Sequence, residues 1–258
     1  MRYETLTVTT PAEHIRLITL NRVEAANAFN TKMSAEIADA IGAETEARCI
    51  VLTGAGTRAF CAGADLKERN GMTDDAWNAQ HLVFERMFAA LMECPVPLIA
   101  AVNGAAFGGG CEIVLCCDFV YAARGARFAL TETSLGIIPG GCSTQNLPRA
   151  VGMPRAKEII LSAAPFSAEE ACEWGLANRV CEPGNLMAQV LATAGKIAGN
   201  GPLALRAAKT ALKAAIGPDL HAAYATEIEA YNSVIPTADR REGVRAYNEK
   251  RRPNFTGA

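Results

Sequence analysis

"PLIAAVNGAAFGGGCEIVLCCDFVYAAR" (residues 97–124) holds one repeat of the architecture. The apolar run Leu98 to Val102 has the length of a buried strand, and "FVYAAR" at 119–124 reads as a second one. Between them three glycines, Gly108 to Gly110, run into Cys111, Glu112 and an apolar segment that reads as a helix. Glycine is the poorest ordinary residue for a helix apart from proline, and a carboxylate beside an apolar run is costly to bury. Strand, glycine-opened helix, strand is the pattern of a layered α/β fold.

The alternation continues upstream. "TLTVTT" and "IRLITLNR" read as strands, Met33 to Glu44 as an amphipathic helix, "CIVLTGAG" as a buried strand and Ala76 to Glu93 as a helix. From about residue 152 the strand signal nearly vanishes. "SAEEACEWG" offers Ser167 as a cap, Glu170 three residues on and a glycine stop, the signature of a capped helix. A Gly-Pro pair at 217–218 separates two further helical stretches, "GPLALRAAKTALKAAIG" and "DLHAAYATEIEAYNSVI". The expected organisation is an α/β core over residues 1–195 and a helical region over 196–258.

Composition narrows the function. The 258 residues are half apolar and carry a formal net charge of −2, with no long basic block, so nucleic acid and anionic membranes are not expected partners. The N-terminus lacks a basic-then-apolar signal and no apolar run is long enough to span a bilayer, so a cytoplasmic location is expected. Nine cysteines form no CxxC pair and do not cluster with His14, His81 or His221. They read as small core residues in a reducing compartment, with neither a disulfide framework nor a metal site expected.

The glycine run before a helix lets a ligand approach backbone N–H groups that have no intrahelical partner, which suits an anion or an oxygen that becomes anionic. A glycine-lined helix crossing would use the same residues, and no phosphate-loop or dinucleotide spacing is present. A second such segment, "RAFCAGADLKER" at 58–69, also follows a strand. Two amides from two such turns make an oxyanion hole. Glu112, and Glu132 in "FALTETSLGIIPGG", are then candidate general base and acid, because desolvation lifts a carboxyl pKa towards neutrality.

At these residues the chain resembles the crotonase, or enoyl-CoA hydratase/isomerase, superfamily. The likeness spans "ITLNRVEAANAF", "IVLTGAGTRAFCAGADLKER", "VPLIAAVNGAAFGGGCEIVLCCD", "FALTETSLGIIPGG" and the tail "DRREGVRAYNEKRRPNF". The resemblance implies an α/β spiral of ββα units with C-terminal helices that build a trimer, often paired into a hexamer. It implies that the amides of Ala64 and Gly109 are the oxyanion donors, that Glu112 and Glu132 are the hydratase glutamates, and that Ala62, Gly63, Ala64, Asp65 and Leu66 lie along coenzyme A. Gly109 and Gly140 would also touch substrate, and Tyr231 and Lys250 would reach coenzyme A, commonly in a neighbouring subunit. Arg251 and Arg252 could serve in place of Lys250.

Within this resemblance, having both glutamates implies a hydratase, with no cofactor beyond the coenzyme A carried by the substrate. The segments "FCAGADLKER", "LTETSLGIIPGG" and "IPTADRREG" resemble the methylglutaconyl-CoA hydratase branch and are largely shared by short-chain enoyl-CoA hydratases. The expected substrate is therefore a short or branched 2-enoyl-CoA, with 3-methylglutaconyl-CoA among the candidates. This would place the protein in lipid metabolism or branched-chain amino acid degradation. A methylglutaconyl substrate calls for a cation or polar donors near its distal carboxylate, and no residue is assignable to that task from sequence. Three positions depart from the family pattern: Val23 for a usual proline, "GCST" at 141–144 for a glycine run, and Asn146 for a common arginine. Cys142 and Ser143 either reshape the acyl end of the pocket or are neutral packing changes. The competing readings are an isomerase, a thioester hydrolase or a serine or cysteine hydrolase built on Ser143 or Cys142, and an RNA-binding or scaffold homologue.

Overall fold

The computed structural model describes residues 3–43, 46–215 and 220–258. The Gly-Pro pair at 217–218 and the end of the first helix at Glu44 lie outside the described residues. In chain order the elements begin β1 (Leu6–Ala12), β2 (Ile15–Leu20), α1 (Thr31–Gly42), β3 (Cys49–Gly54), β4 (Ala59–Cys61), α2 (Leu66–Arg69) and α3 (Asp74–Met92). They continue β5 (Leu98–Val102), β6 (Ala105–Phe107), α4 (Gly109–Leu115), β7 (Phe119–Ala123), β8 (Arg127–Ala129), α5 (Ser143–Val151) and α6 (Met153–Ser162). The remainder is β9 (Phe166–Ser167), α7 (Ala168–Glu173), β10 (Arg179–Cys181), α8 (Leu186–Ala198), α9 (Pro202–Ala214), α10 (Leu220–Val234) and α11 (Ala238–Asn248).

Two sheets organise them. One runs β1-β2-β3-β5-β7-β10, parallel except for the β1–β2 pair; the other runs β4-β6-β8-β9, parallel except for the last pair. Each repeat places its first strand in the large sheet and its second in the small one, followed by helix or helical turn: β3-β4-α2, β5-β6-α4, β7-β8 and the turn Glu132–Leu135. That is a spiral of ββα units. Each turn delivers the end of its second strand to the same side, and there the glycine-rich loops meet.

The central strands β3, β5 and β7 of the large sheet are buried on both faces, which explains why they read as unbroken apolar runs. Alternation sends Ile50 and Leu52 of β3, and Leu98, Ala100 and Val102 of β5, into the main core. It sends Cys49, Val51, Ile99 and Ala101 into a second core closed by Leu186, Val190, Ala194 and Ala198 of α8. Position 195 therefore falls inside a helix that covers the sheet. Cys49, Cys61, Cys94, Cys111 and Cys181 are buried in these two cores, and all nine cysteines are free thiols. The Ser167–Glu170 capping box forms as read, with the Ser167 hydroxyl accepting from Glu170 N–H.

Beyond α8 the chain is helical, and α10 packs on α9. The region is tied back to the core by Lys209, whose ammonium pairs with Asp118 at 2.6 Å, and by Arg48, which donates to the Phe255 carbonyl at 2.6 Å. Among the described residues no helix is long and apolar enough to cross a membrane.

Candidate active site

A cleft of about 590 Å³ opens where the spiral loops converge. Its walls include Ala62, Gly63, Ala64 and Leu66 after β4, Gly108, Gly109 and Glu112 around the start of α4, and Glu132 and Gly140 beyond β8. Residues far apart in sequence are thus neighbours here, because each follows a strand of the small sheet.

The two amides singled out in the sequence are close. A Cβ built on Gly109 would lie 3.8 Å from Ala64 N, and one built on Gly63 would lie 3.3 Å from Gly109 N. Phe29 and Ala64 form a parallel β-bridge in which Phe29 N–H donates to Gly63 O and Asp65 N–H donates to Phe29 O. The bridge uses the peptide groups on either side of Ala64 and turns its own N–H away. Gly109 is the first residue of α4, where no intrahelical acceptor exists. Among the described residues neither amide donates a hydrogen bond within the protein.

The glycines that precede Glu112 each meet a different steric demand. Gly108 has φ 51° and ψ −127°, and a Cβ there would stand 3.2 Å from Glu132 Oε1. A Cβ on Gly109 would press into the Phe29 ring, and one on Gly110 would overlap the Cys61 carbonyl oxygen of β4. Helix crossing and exposed amides therefore come from one run: Gly110 lets α4 sit on β4, and Gly108 makes room for the second carboxylate.

Glu112 is 4 % exposed and Glu132 is 7 % exposed. Glu112 accepts from Gly141 N–H at 2.6 Å. Burial first, and the charge of Glu132 second, push its pKa up to about 7, against the pull of the Gly141 amide and of the nearby Ser143 side chain and amide. Burial also raises Glu132, whose Oε2 has no hydrogen-bond partner among the described protein atoms. Two carboxyls that each favour the protonated form, and feel one another, titrate as a pair. Such a pair holds a proton near neutrality and can give or take it.

Of the departures from the family pattern, Ser143 sits beside this pair, with Cys142 next to it in sequence, and Val23 and Asn146 do not line the cleft. Ser143, wholly buried, adds a hydroxyl next to Glu112 that makes no hydrogen bond of ordinary geometry. Cys142 adopts φ 71°, a conformation glycine takes at no steric cost, which accounts physically for a glycine in that place. The Asn146 side chain donates to Leu115 O at 3.1 Å and so ties α5 to α4. Val23 lies in a half-exposed helical turn away from the cleft.

Three residues of the predicted set are not on the cleft wall. The Asp65 carboxylate accepts from Lys67 N–H at the start of α2 and pairs with Arg22 at 2.9 Å, a structural task. Tyr231, on α10, is 65 % exposed, and Lys250, just past α11, is also exposed; neither reaches the cleft of its own chain.

Sequence reading missed one wall entirely. Trp77, His81, Phe84 and Phe88 lie on one face of α3, and Phe29 meets Phe84 edge to face at 4.9 Å between ring centroids. The spacing i, i+4, i+7, i+11 was the available signal. Arg69, at the end of α2, is on this wall as well. His81 pairs with Glu85 at 3.3 Å, and the Ser143 hydroxyl has no partner, so no serine–histidine couple forms. Among the described residues no three His, Cys, Asp or Glu side chains converge as a metal site would require.

Known proteins of this shape can now be set beside the cleft. The sequence pattern of the family described as enoyl-CoA hydratase/isomerase matches residues 10–258. A solved enoyl-CoA hydratase from Bacillus anthracis superposes with a TM-score of 0.95 at 43 % identity, covering 99 % of this chain and 100 % of its own. A crotonyl-CoA hydratase of Syntrophomonas wolfei is 36 % identical over 258 residues, 99 % of each chain. The human mitochondrial methylglutaconyl-CoA hydratase is 38 % identical over 250 residues, 94 % of this chain and 74 % of its own length.

Proposed function

The chain belongs to the enoyl-CoA hydratase/isomerase family, and from that premise we propose how its cleft carries out the work of an enoyl-CoA hydratase, a hydro-lyase. The thioester carbonyl oxygen of a 2-enoyl-CoA accepts from the amides of Ala64 and Gly109. As water adds, negative charge grows on that oxygen, and preset donors stabilise it without reorganising. Loss of one such donor typically costs about 10²–10³ in rate. Because α4 has only seven residues, the paired donors matter more here than any long helix dipole.

Glu112, as the carboxylate, takes a proton from water while the oxygen bonds to the β-carbon. Glu132, as the acid, gives its proton to the α-carbon, and the enolate returns to a thioester. On this reading the two carboxyls, which line the same cleft, deliver the hydroxyl and the hydrogen to the same face of the double bond. The pair then holds its single proton on Glu112 and must pass it back to Glu132 before the next turnover.

What supports this reading is one observation: two buried carboxyls with raised pKa share a cleft with two unpaired amides. An isomerase needs one carboxylate to shuttle a proton, and here two are buried at a cost. On this reading coenzyme A arrives with the substrate and no separate cofactor is needed. A short or branched acyl chain, a role in lipid or branched-chain amino acid breakdown, a cytoplasmic setting and a trimeric or hexameric assembly complete the proposal.

The test follows the loss of enoyl-thioester absorbance with crotonyl-CoA and 3-methylglutaconyl-CoA. Glu112→Gln and Glu132→Gln should each lower kcat by about 10²–10⁴. Wild-type inactivity on both substrates, or glutamine variants as fast as wild type, would rule the mechanism out.

A further inference from the structure

Among the described residues Arg69 is the one arginine or lysine lining the cleft, on the wall it shares with Phe29, Trp77, Phe84, Phe88 and the His81 of the His81–Glu85 pair. Its guanidinium carbon stands 3.8 Å from the Trp77 ring centroid and 4.9 Å from that of Phe84. Its Nε donates to Gln80 Oε1 at 2.8 Å. Gln80 is buried, and its amide nitrogen donates to Thr31 Oγ1 at 2.8 Å and to Glu68 Oε2 at 2.7 Å. Glu68 Oε2 also accepts from Thr31 N–H at 2.9 Å. With its nitrogen committed to two acceptors, Gln80 can present only its oxygen to Arg69, so the direction of the guanidinium is fixed from behind.

The front of the same group is unused. Among the described residues Arg69 forms no ion pair, and neither Nη atom donates a hydrogen bond. Burial pulls its pKa down, and the charge of Glu68, which is already engaged by Thr31 and Gln80, only partly offsets this. A half-buried arginine that is stacked, aimed and short of an anion is preorganised for one. Its place relative to the reacting atoms is also defined: Gly109 touches Phe29, Phe29 meets Phe84, and Phe84 meets Arg69. Two rings separate the oxyanion amide from the guanidinium.

We infer that Arg69 receives a carboxylate at the far end of the acyl chain, so that the substrates of this site are 2-enoyl-CoA thioesters of short dicarboxylic acids. The inference rests on the hydratase reading above. It adds a specificity residue and a substrate class: a neutral acyl chain of equal length would leave the arginine desolvated and unpaired, which is how a polar pocket rejects an analogue. Glu112 and Glu132 line the cleft with Gly108 and Gly109, and their charge disfavours a second carboxylate beside them.

The same fork could instead bind the phosphates of coenzyme A, and the experiment separates the two sources of anion. kcat/KM is measured on the full-length enzyme with glutaconyl-CoA and 2-pentenoyl-CoA, equal in carbon number and differing in the terminal carboxylate. Wild type should prefer glutaconyl-CoA by about 10- to 100-fold, the range of a hydrogen bond to a charged group. Arg69→Met should erase that ratio, and Arg69→Lys should keep part of it as a point charge without the fork. Both substrates are read on one preparation, so any loss of folded protein cancels from the ratio. No preference in wild type, or an Arg69→Met that slows both substrates equally, overturns the inference while leaving the hydratase reading standing. Inactivity of wild type on both substrates would remove the hydratase reading itself.

Discussion

At Glu112 the cost of function can be read as a dependence on pH. Its pKa is raised from an ordinary 4.5 to about 7, chiefly by burial. Between those two values the folded protein binds a proton that the unfolded chain does not. The stability contributed is full below 4.5 and is lost as pH rises through 7. Glu112→Gln keeps the shape and removes the ionisation, so it should be more stable than wild type at pH 8, by about 3 kcal/mol at most, and equal to it near pH 4.5. Urea midpoints at the two pH values decide this; an equal gain at both, or a loss at pH 8, would contradict it. The gain comes in a variant that has lost the base proposed above, the expected exchange between stability and activity. Both glutamates were legible in the sequence because a carboxylate in an apolar run stands out. Arg69 and His81 were not, since an arginine or a histidine on a helix is unremarkable until the fold turns it towards a cleft.

Among elements, α4 shows how one residue type takes opposite roles. At Gly110 a Cβ would strike the Cys61 carbonyl, a backbone atom of β4 that has little freedom to move. At Gly195, inside α8, nothing lies within 4 Å of the added atom. The same substitution should therefore change sign. Gly110→Ala should destabilise by about 1–3 kcal/mol or more, as overpacking does, and should disturb Gly109 and Glu112 with it. Gly195→Ala should stabilise by about 0.5–1 kcal/mol, the ordinary helix preference of alanine. Chemical denaturation of the pair measures both, and a shift of the same sign in the two would refute the crossing argument. The long strands could be read, β1 and β2 from their β-branched runs and β3, β5 and β7 from their apolar ones. The short β4, β6, β8 and β9, of two or three residues each, could not, because no period shows in so few positions. Those strands lead into the cleft, so sequence located the segments that line it but not the sheet that aligns them.

For the whole molecule, the open question is what the C-terminal helices serve. Tyr231 and Lys250 are exposed and do not line the cleft of their own chain. Leu161 on α6, Leu212 on α9 and Tyr224 on α10 leave large apolar side chains exposed, a surface that burial between copies would cover. Lys250 itself is held in a left-handed conformation at the end of α11. Beside it Arg251 is pinned to Glu242, whose carboxyl the surrounding arginines and the Asn254 amide hold well below its usual range. The tail is thus held in place by its own ion pairs, and Tyr231 and Lys250 do not line the cleft of their own chain. If Tyr231 and Lys250 complete the coenzyme site of an adjacent copy, substrate affinity must depend on protein concentration. Dilution to the point where light scattering shows monomers should raise KM for acyl-CoA several-fold more than it lowers kcat. Tyr231→Ala and Lys250→Ala should raise KM at high concentration and add little on dilution, because the contact they remove is already lost in the monomer. A KM that stays constant while the mass falls to that of one chain would show that each copy binds its substrate alone.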